Sequence, residues 1–336
     1  MRSVLLTPPV LLVGVLLLTA CGPQQSDSRS DRPARVKGDG SSCEESPSGA
    51  AAGSGAAVPP GDASGLEKDG VKIVGLSRGG RSCAEFEVTN HQTEPFSYTI
   101  TFAFLSGSGE ALENPGQSVA SVMPGETLRR TVTMSRPPSS VRGGAARVRI
   151  AKVRSVPTSE APSPGGPCPP SGLRVYTDDG DAAMGLRAVG LHLENCGTRA
   201  DRLDGYPQLQ LLDEDHRPVD SVKVLQGGDS IATGTGADGV PQPLTLQPGE
   251  RARATLVWRN TVEAGVGDPV HAPYVRAWAK PDAVPVTVTP ELDLGTTGKL
   301  GVGPWKKDDT NAPGQGGTAG AHSPEAPSGS ARPVRP

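Results

Sequence analysis

The chain has 336 residues, enough for two or three ordinary domains, and its 44 glycines and 34 prolines make up nearly a quarter of it. Aromatic residues are only 3% and charged residues 21%, so the apolar material must be concentrated in some segments and diluted by linkers in others. A formal charge of −3 supplies no strong basic field, which excludes nucleic acid as the partner.

Residues 1–21 read MRSVLLTPPVLLVGVLLLTAC, one arginine followed by an apolar run that reaches Ala20. This is the charged n-region and the h-region of a secretory signal. The run is short for a membrane span, which needs about 20 apolar residues, and Pro8-Pro9 interrupts it. Its end, Leu18-Thr19-Ala20-Cys21, resembles the bacterial lipobox, with a branched apolar residue, two small residues and a thiol to carry diacylglycerol. The expectation is a signal peptide over 1–20, lipidation of Cys21 with palmitate-type chains, and anchorage at the extracytoplasmic face of the cell membrane. Two or three acyl chains supply the multiple signals that stable attachment requires.

Residues 22–66 are nearly devoid of large apolar side chains and bury too little to offset the entropy of ordering. A disordered tether over 21–66 is expected, with a reach of about 35–40 Å. From 67 to 156 come short β-rich runs: VKIVGL (71–76), CAEFEVTN (83–90), FSYTITFAFL (96–105), ETLRRTVTM (126–134) and ARVRIAKV (146–153). Phe96, Tyr98, Ile100, Phe102 and Phe104 alternate with smaller or polar residues, the period of a half-buried strand. Gly79-Gly80, Gly107 with Gly109, and Pro124-Gly125 punctuate the runs. Residues 157–167 (PTSEAPSPGGP) read as a Pro-rich hinge.

A second β-rich region, 168–305, contains GLRVYT (172–177), GLRAVGLHLENCG (185–197), PQLQLLD (207–213), PVDSVKVL (218–225), ERARATLVWRN (250–260), YVRAWA (274–279) and VPVTVTP (284–290). Leu191, Leu193 and Asn195 alternate with His192 and Glu194, which places His192 toward solvent. Ala252, Ala254, Leu256 and Trp258 line one face. Residues 306–336 return to Pro, Gly and Ala and are expected to form a disordered tail. No segment sustains a 3.6-residue period, so the fold class is all-β: two immunoglobulin-like β-sandwich domains, 67–156 and 168–305.

The halves also read as a divergent repeat. Val88-Thr89-Asn90 precedes Phe102 to Leu105, and Pro124-Gly125-Glu126 opens a strand. Leu193-Glu194-Asn195 precedes Leu209 to Leu212, and Pro248-Gly249-Glu250 opens another. Their charges differ: residues 67–156 carry net +4 and residues 168–305 net −6. The plain reading is ordinary solvated faces; the sharper one is that the halves face differently charged partners or each other, since opposite fields attract at close range. Arg129, Arg130, Arg147, Arg149, Lys152 and Arg154 form the candidate polyanion-contact face, against the simpler reading of basic residues that blunt a strand edge.

Five cysteines stand at 21, 43, 83, 168 and 196. Lipidation of Cys21 leaves four in an oxidising compartment. Separate domains favour the pairs Cys43–Cys83 and Cys168–Cys196, and no C-x-x-C or Cys/His spacing supports zinc.

Motifs for chemistry fail on context. Gly75-Leu76-Ser77-Arg78-Gly79 matches a nucleophile elbow but leads into another strand rather than a helix. Gly234 to Gly239 matches G-x-G-x-x-G, yet Pro241 and Pro243 follow where a helix should open. The histidines 91, 192, 216, 271 and 322 show no metal spacing, and His216 falls in a turn, 213–217. Asp178-Asp179-Gly180-Asp181 lacks the twelfth-position glutamate of a calcium loop. No catalytic residue, cofactor or metal site is expected.

Cys168, the L-x-L-x-N-x-G run from Leu191 to Gly197, the Gly205-Tyr206-Pro207 turn before Leu211-Leu212-Asp213, and Leu246 to Glu250 before Ala254-Thr255-Leu256 together resemble domain of unknown function 4232. That family is found in secreted proteins and lipoproteins of GC-rich Gram-positive bacteria. Its usual partner cysteine stands just before the Gly-Tyr-Pro turn, where this chain has Ala200 to Leu203. Cys196 then supplies a shifted bridge to Cys168. The resemblance implies a β-sandwich in the cell envelope and brings no activity. The expected function is a non-enzymatic, lipid-anchored protein that binds a cell-wall polymer or an envelope protein. The alternative is a solute- or metal-binding lipoprotein that delivers ligand to a transporter.

Overall fold

The alternation in the sequence becomes the pleat of two sets of sheets. The computed structural model describes residues 65–78, 82–135 and 147–308, all within one compact unit. Among the described residues there is no α-helix, and strands dominate.

The first set comprises β1 Glu67–Lys68, β2 Val71–Arg78, β3 Ser82–Thr89, β4 Phe96–Leu105, β5 Ala111–Glu113, β6 Gly116–Val122, β7 Thr127–Thr133 and β8 Arg147–Pro157. One antiparallel sheet runs β1-β2-β3-β7. In the other, β4 pairs with β8 on one side and with β5 and β6 on the other. Both sheets contribute to one core. Ile73, Phe86 and Val132 come from the first, and Phe96, Tyr98, Ile100, Phe102 and Phe104 from the second. The rings of Phe86 and Phe102 lie 4.7 Å apart across the two sheets, a tilted pair adding about 0.5–1.5 kcal/mol beyond its buried area.

The second set comprises β9 Leu173–Thr177, β10 Asp181–Ala183, β11 Leu186–Asn195, β12 Asp201–Leu203, β13 Gln208–Leu212, β14 Lys223–Gln226, β15 Leu244–Leu246 and β16 Arg251–Arg259. It continues with β17 Val270–Ala272, β18 Tyr274–Trp278, β19 Val286–Val288, β20 Leu292–Gly295, β21 Lys299–Val302 and β22 Lys306–Lys307. The largest sheet runs β10-β11-β16-β21-β14, with β9 on β11 and β22 on β16; β13-β18-β19 form a second sheet, and β12-β15 and β17-β20 are pairs. The central ladder β11–β16 runs from Leu186 opposite Arg259 to Glu194 opposite Arg251. It buries the predicted face, Leu191 and Leu193 against Ala252, Ala254, Leu256 and Trp258. These residues belong to a hydrophobic core distinct from the first.

The two sets share one corner, bond for bond. Asn90 is fully buried; its amide donates to the carbonyls of Glu94 and Val122, both at 2.8 Å, and its side-chain oxygen accepts from the Gln92 N–H at 2.8 Å. Asn195 donates to Arg199 at 2.7 Å and Leu246 at 2.9 Å, and accepts from the Gly197 N–H at 3.1 Å. The main chain of Asn90 exchanges bonds with Gly125 and Glu126, as that of Asn195 does with Gly249 and Glu250. The Glu126 carboxylate closes its turn on the Met123 N–H and that of Glu250 on the Gln247 N–H, each at 2.8 Å. Both turns are Pro-Gly, and the glycines take φ +73° and +84°, which side chains with a Cβ rarely adopt. This equivalence supports the divergent repeat.

Three stretches expected as tether, hinge or tail hold structured residues. Leu66 packs on the first core, and its carbonyl accepts the Ile73 N–H. The last strand takes in Lys306 and Lys307, residues expected in the tail, while residues 309–336 lie outside the described chain. The 157–167 segment is strapped rather than loose: Thr158–Glu160 is a 3-10 turn, Arg276 grips Glu160, and Arg174 donates to the Gly166 carbonyl at 2.7 Å.

Candidate functional site

The most densely built polar site lies where the two sets of strands meet. It is carried by the last residues of β8, the 213–217 turn after β13, and the segment around Glu291 before β20. A small apolar cluster of Val156, Leu212 and Tyr274 joins the two sides.

Arg154 is 7% exposed and uses all five of its N–H donors. Two bonds of 2.7 Å reach the Glu291 carboxylate, two of 3.0 and 3.3 Å reach Glu214, and one of 2.8 Å reaches the Val153 carbonyl. Its guanidinium lies 5.6 Å from the Tyr274 ring centre, and Lys152 adds a 3.3 Å ion pair to Glu291. Burial alone disfavours the Arg154 cation, but the bonds from Glu291 and the charges of Glu291 and Glu214 outweigh it and raise its pKa. Burial also disfavours the Glu291 carboxylate, and Arg154 and Lys152 reverse that, so its pKa is lowered. The opposite net charges of the two halves are therefore spent, in part, on each other.

Beside Arg154 the free edge of β8 is capped by side chains. Tyr274 Oη accepts the Ser155 N–H at 3.3 Å, and His216 Nε2 donates to the Ser155 carbonyl at 2.7 Å. His216 stacks on Tyr274 at 4.4 Å and meets Phe96 edge-on at 5.7 Å. It sits at φ +61° in a turn fixed by Asp213, whose carboxylate accepts the N–H groups of Asp215 and Arg217. Together these side chains replace a neighbouring strand. Farther along, Arg276 and Thr287 both bond Glu160. Two hollows of about 360 and 370 Å³ flank the His216 turn, each lined from both sets of strands.

The six candidate basic residues do not form one face. Arg129 and Arg130 are on β7 and the other four on β8, in different sheets. Arg129 is paired with Glu87 at 2.6 Å, Lys152 with Glu291, and Arg154 is buried. Arg130 and Arg147 bond main-chain carbonyls, and Arg147 and Arg149 are exposed. An alternating strand makes Arg154 look solvent-facing, because what buries it is the second set of strands.

The rejected motifs keep ordinary roles. Ser77 lies within β2 opposite Cys83, and Gly79 lies outside the described residues. The 234–239 loop is held by Lys306, which donates to the carbonyls of Gly236 and Asp238. Asp178 accepts from the Gly190 N–H at 2.8 Å and pairs with Arg253 and His192. Burial opposes its charge, but the His192 and Gly190 bonds prevail and lower its pKa. His192 is half-buried, stacked on Tyr176 at 5.1 Å with its second nitrogen 3.4 Å from Asp308, not on the solvent side as the alternation predicts. Among the described residues no group of three His, Cys, Asp or Glu is disposed to hold a metal.

Cys168 and Cys196 form a disulfide with Cα atoms 5.6 Å apart, tying the entrance of the second region to the residue after Asn195. Cys83 is also disulfide-bonded; its expected partner Cys43, like Cys21, where lipidation is expected, lies outside the described residues. The bridge, the Asn195 corner and the Gly249 turn thus occur together in one strand framework. Residues 168–306 match the family model of Domain of unknown function (DUF4232). The match covers 139 of 336 residues, and no curated protein matches the chain. Glu214, His216, Arg276 and Glu291 lie within the DUF4232 match, whereas Arg154, Ser155 and Glu160 precede it. The site is therefore made by the DUF4232 region and the strands before it together.

Proposed function

We propose that this chain is a lipid-anchored extracytoplasmic protein, cut before Cys21. In this reading its two immunoglobulin-like β-sandwich domains, 67–156 and 168–305, work as one non-catalytic body that binds a component of the cell envelope. The observation that carries the binding-body reading is the contact around Arg154, where a buried cation with every donor used joins two cores. Two domains that acted independently would have no need of such a contact, whereas a surface built from both needs a fixed geometry. The lipobox at Leu18 to Cys21 supports the location. The test is fractionation with intact-mass analysis. Membrane-extracted protein should lack residues 1–20 and carry a diacylglyceryl mass, and Cys21→Ala should release it to the medium. Unchanged membrane retention of that variant would overturn the anchor.

A further inference from the structure

The hollow of about 360 Å³ beside the His216 turn has a buried apolar floor, Phe96 from the first set of strands and Leu212 from the second. Its lining also holds exposed Gln92 and Glu94 from the first set of strands, and exposed Asp215 and half-buried Gln210 from the second. The side-chain amides of Gln92 and Gln210 and the carboxylate of Glu94 bond to no other described residue. Among the described residues the one arginine in the lining, Arg276, is committed twice to Glu160. Unspent donors and acceptors thus accompany the apolar side chains, and no described Lys or Arg of the lining is left unpaired.

We propose that this hollow is a subsite for a neutral, hydroxyl-rich chain, that is, an oligosaccharide. Sugar hydroxyls both donate and accept, so they match a lining of two amides and a carboxylate. The C–H face of a sugar ring suits a floor of Phe96 and Leu212. Glu94 would repel an anionic polymer, which needs unpaired Lys or Arg, whereas Asp215 is already paired with Arg217 at 2.7 Å. The volume sits at the lower end of the roughly 300–1,000 Å³ usual for ligand clefts, which favour junctions between domains. It therefore fits a short stretch of a chain. The proposal rests on the envelope-binding reading and names its ligand class.

The experiment titrates the full chain carrying Cys21→Ser with chitotetraose, cellotetraose and maltotetraose as neutral probes and polyphosphate as the anionic one. At least one neutral probe should bind saturably with a Kd below about 1 mM, unchanged across roughly 50–500 mM salt. The Gln92→Ala/Gln210→Ala double variant should weaken it roughly tenfold or more with no shift in melting temperature, and Glu94→Gln should weaken it less. Binding of polyphosphate alone, binding of no neutral probe, or full retention in the double variant would each overturn the proposal. Membrane retention of the wild type is measured separately, so a failed subsite and a failed anchor are distinguishable.

Discussion

Replacing Arg154 by methionine keeps most of the side chain's volume but removes five hydrogen bonds and the cation between Glu214 and Glu291. Breaking a buried ion pair from one side typically costs about 3–5 kcal/mol, because the remaining charge stays desolvated. Here Glu291 is 29% exposed and Glu214 55%, so the share from Glu214 falls toward the roughly 0–1 kcal/mol of a surface pair. The expected loss is therefore about 2–4 kcal/mol, which for a body of this size lowers Tm by roughly 5–12 °C. Scanning calorimetry of the Cys21→Ser chain is the assay. The wild type should show one dominant transition, because the contact couples the two cores. Arg154→Met should show two, with the lower one shifted down. A shift under about 2 °C with the transition shape unchanged would refute the reasoning, since the contact would then contribute no coupling.

Three further expectations follow from the same geometry. Asn90→Ala and Asn195→Ala should each cost about 2–4 kcal/mol by stranding buried carbonyls, and their denaturant midpoints should fall by similar amounts if the corners are copies. Reducing Cys168–Cys196, which spans 28 residues, should cost about 3–4 kcal/mol on the chain-entropy model, with two thiols appearing in a denatured count of the 160–305 fragment. Because the folded pKa of Glu291 is lowered, its contribution is present above the ordinary glutamate pKa and lost as pH falls through the folded value. Wild-type stability should drop below roughly pH 4, and Glu291→Gln should be less stable at neutral pH with a shallower acid limb.

Much of the fold is legible in single strands. The alternation from Phe96 to Phe104 and the face from Ala252 to Trp258 name the core residues directly, since a half-buried strand must alternate. The Pro-Gly-Glu turns and the preceding asparagines mark the repeat, because that corner needs a positive-φ residue beside a side chain able to donate and accept. The site is not legible in the same way. Arg154 sits 60 residues from Glu214 and 137 from Glu291, and no local period encodes a burial that depends on a second core. His192 departs from the alternation for a related reason. Its strand position does point away from the core, but Tyr176 on β9 and Asp308 after β22 cover that side. The opposite charges of the two halves were the one signal that foreshadowed the contact.

The central claim is that two cores act as one body, and residual dipolar couplings from the full Cys21→Ser chain test it most directly. Amide couplings from residues 65–78, 82–135 and 147–157 and from 168–306 should fit one alignment tensor in the wild type and separate into two in Arg154→Met. Two independent tensors in the wild type would contradict the account, because the halves would then tumble apart and share no binding surface.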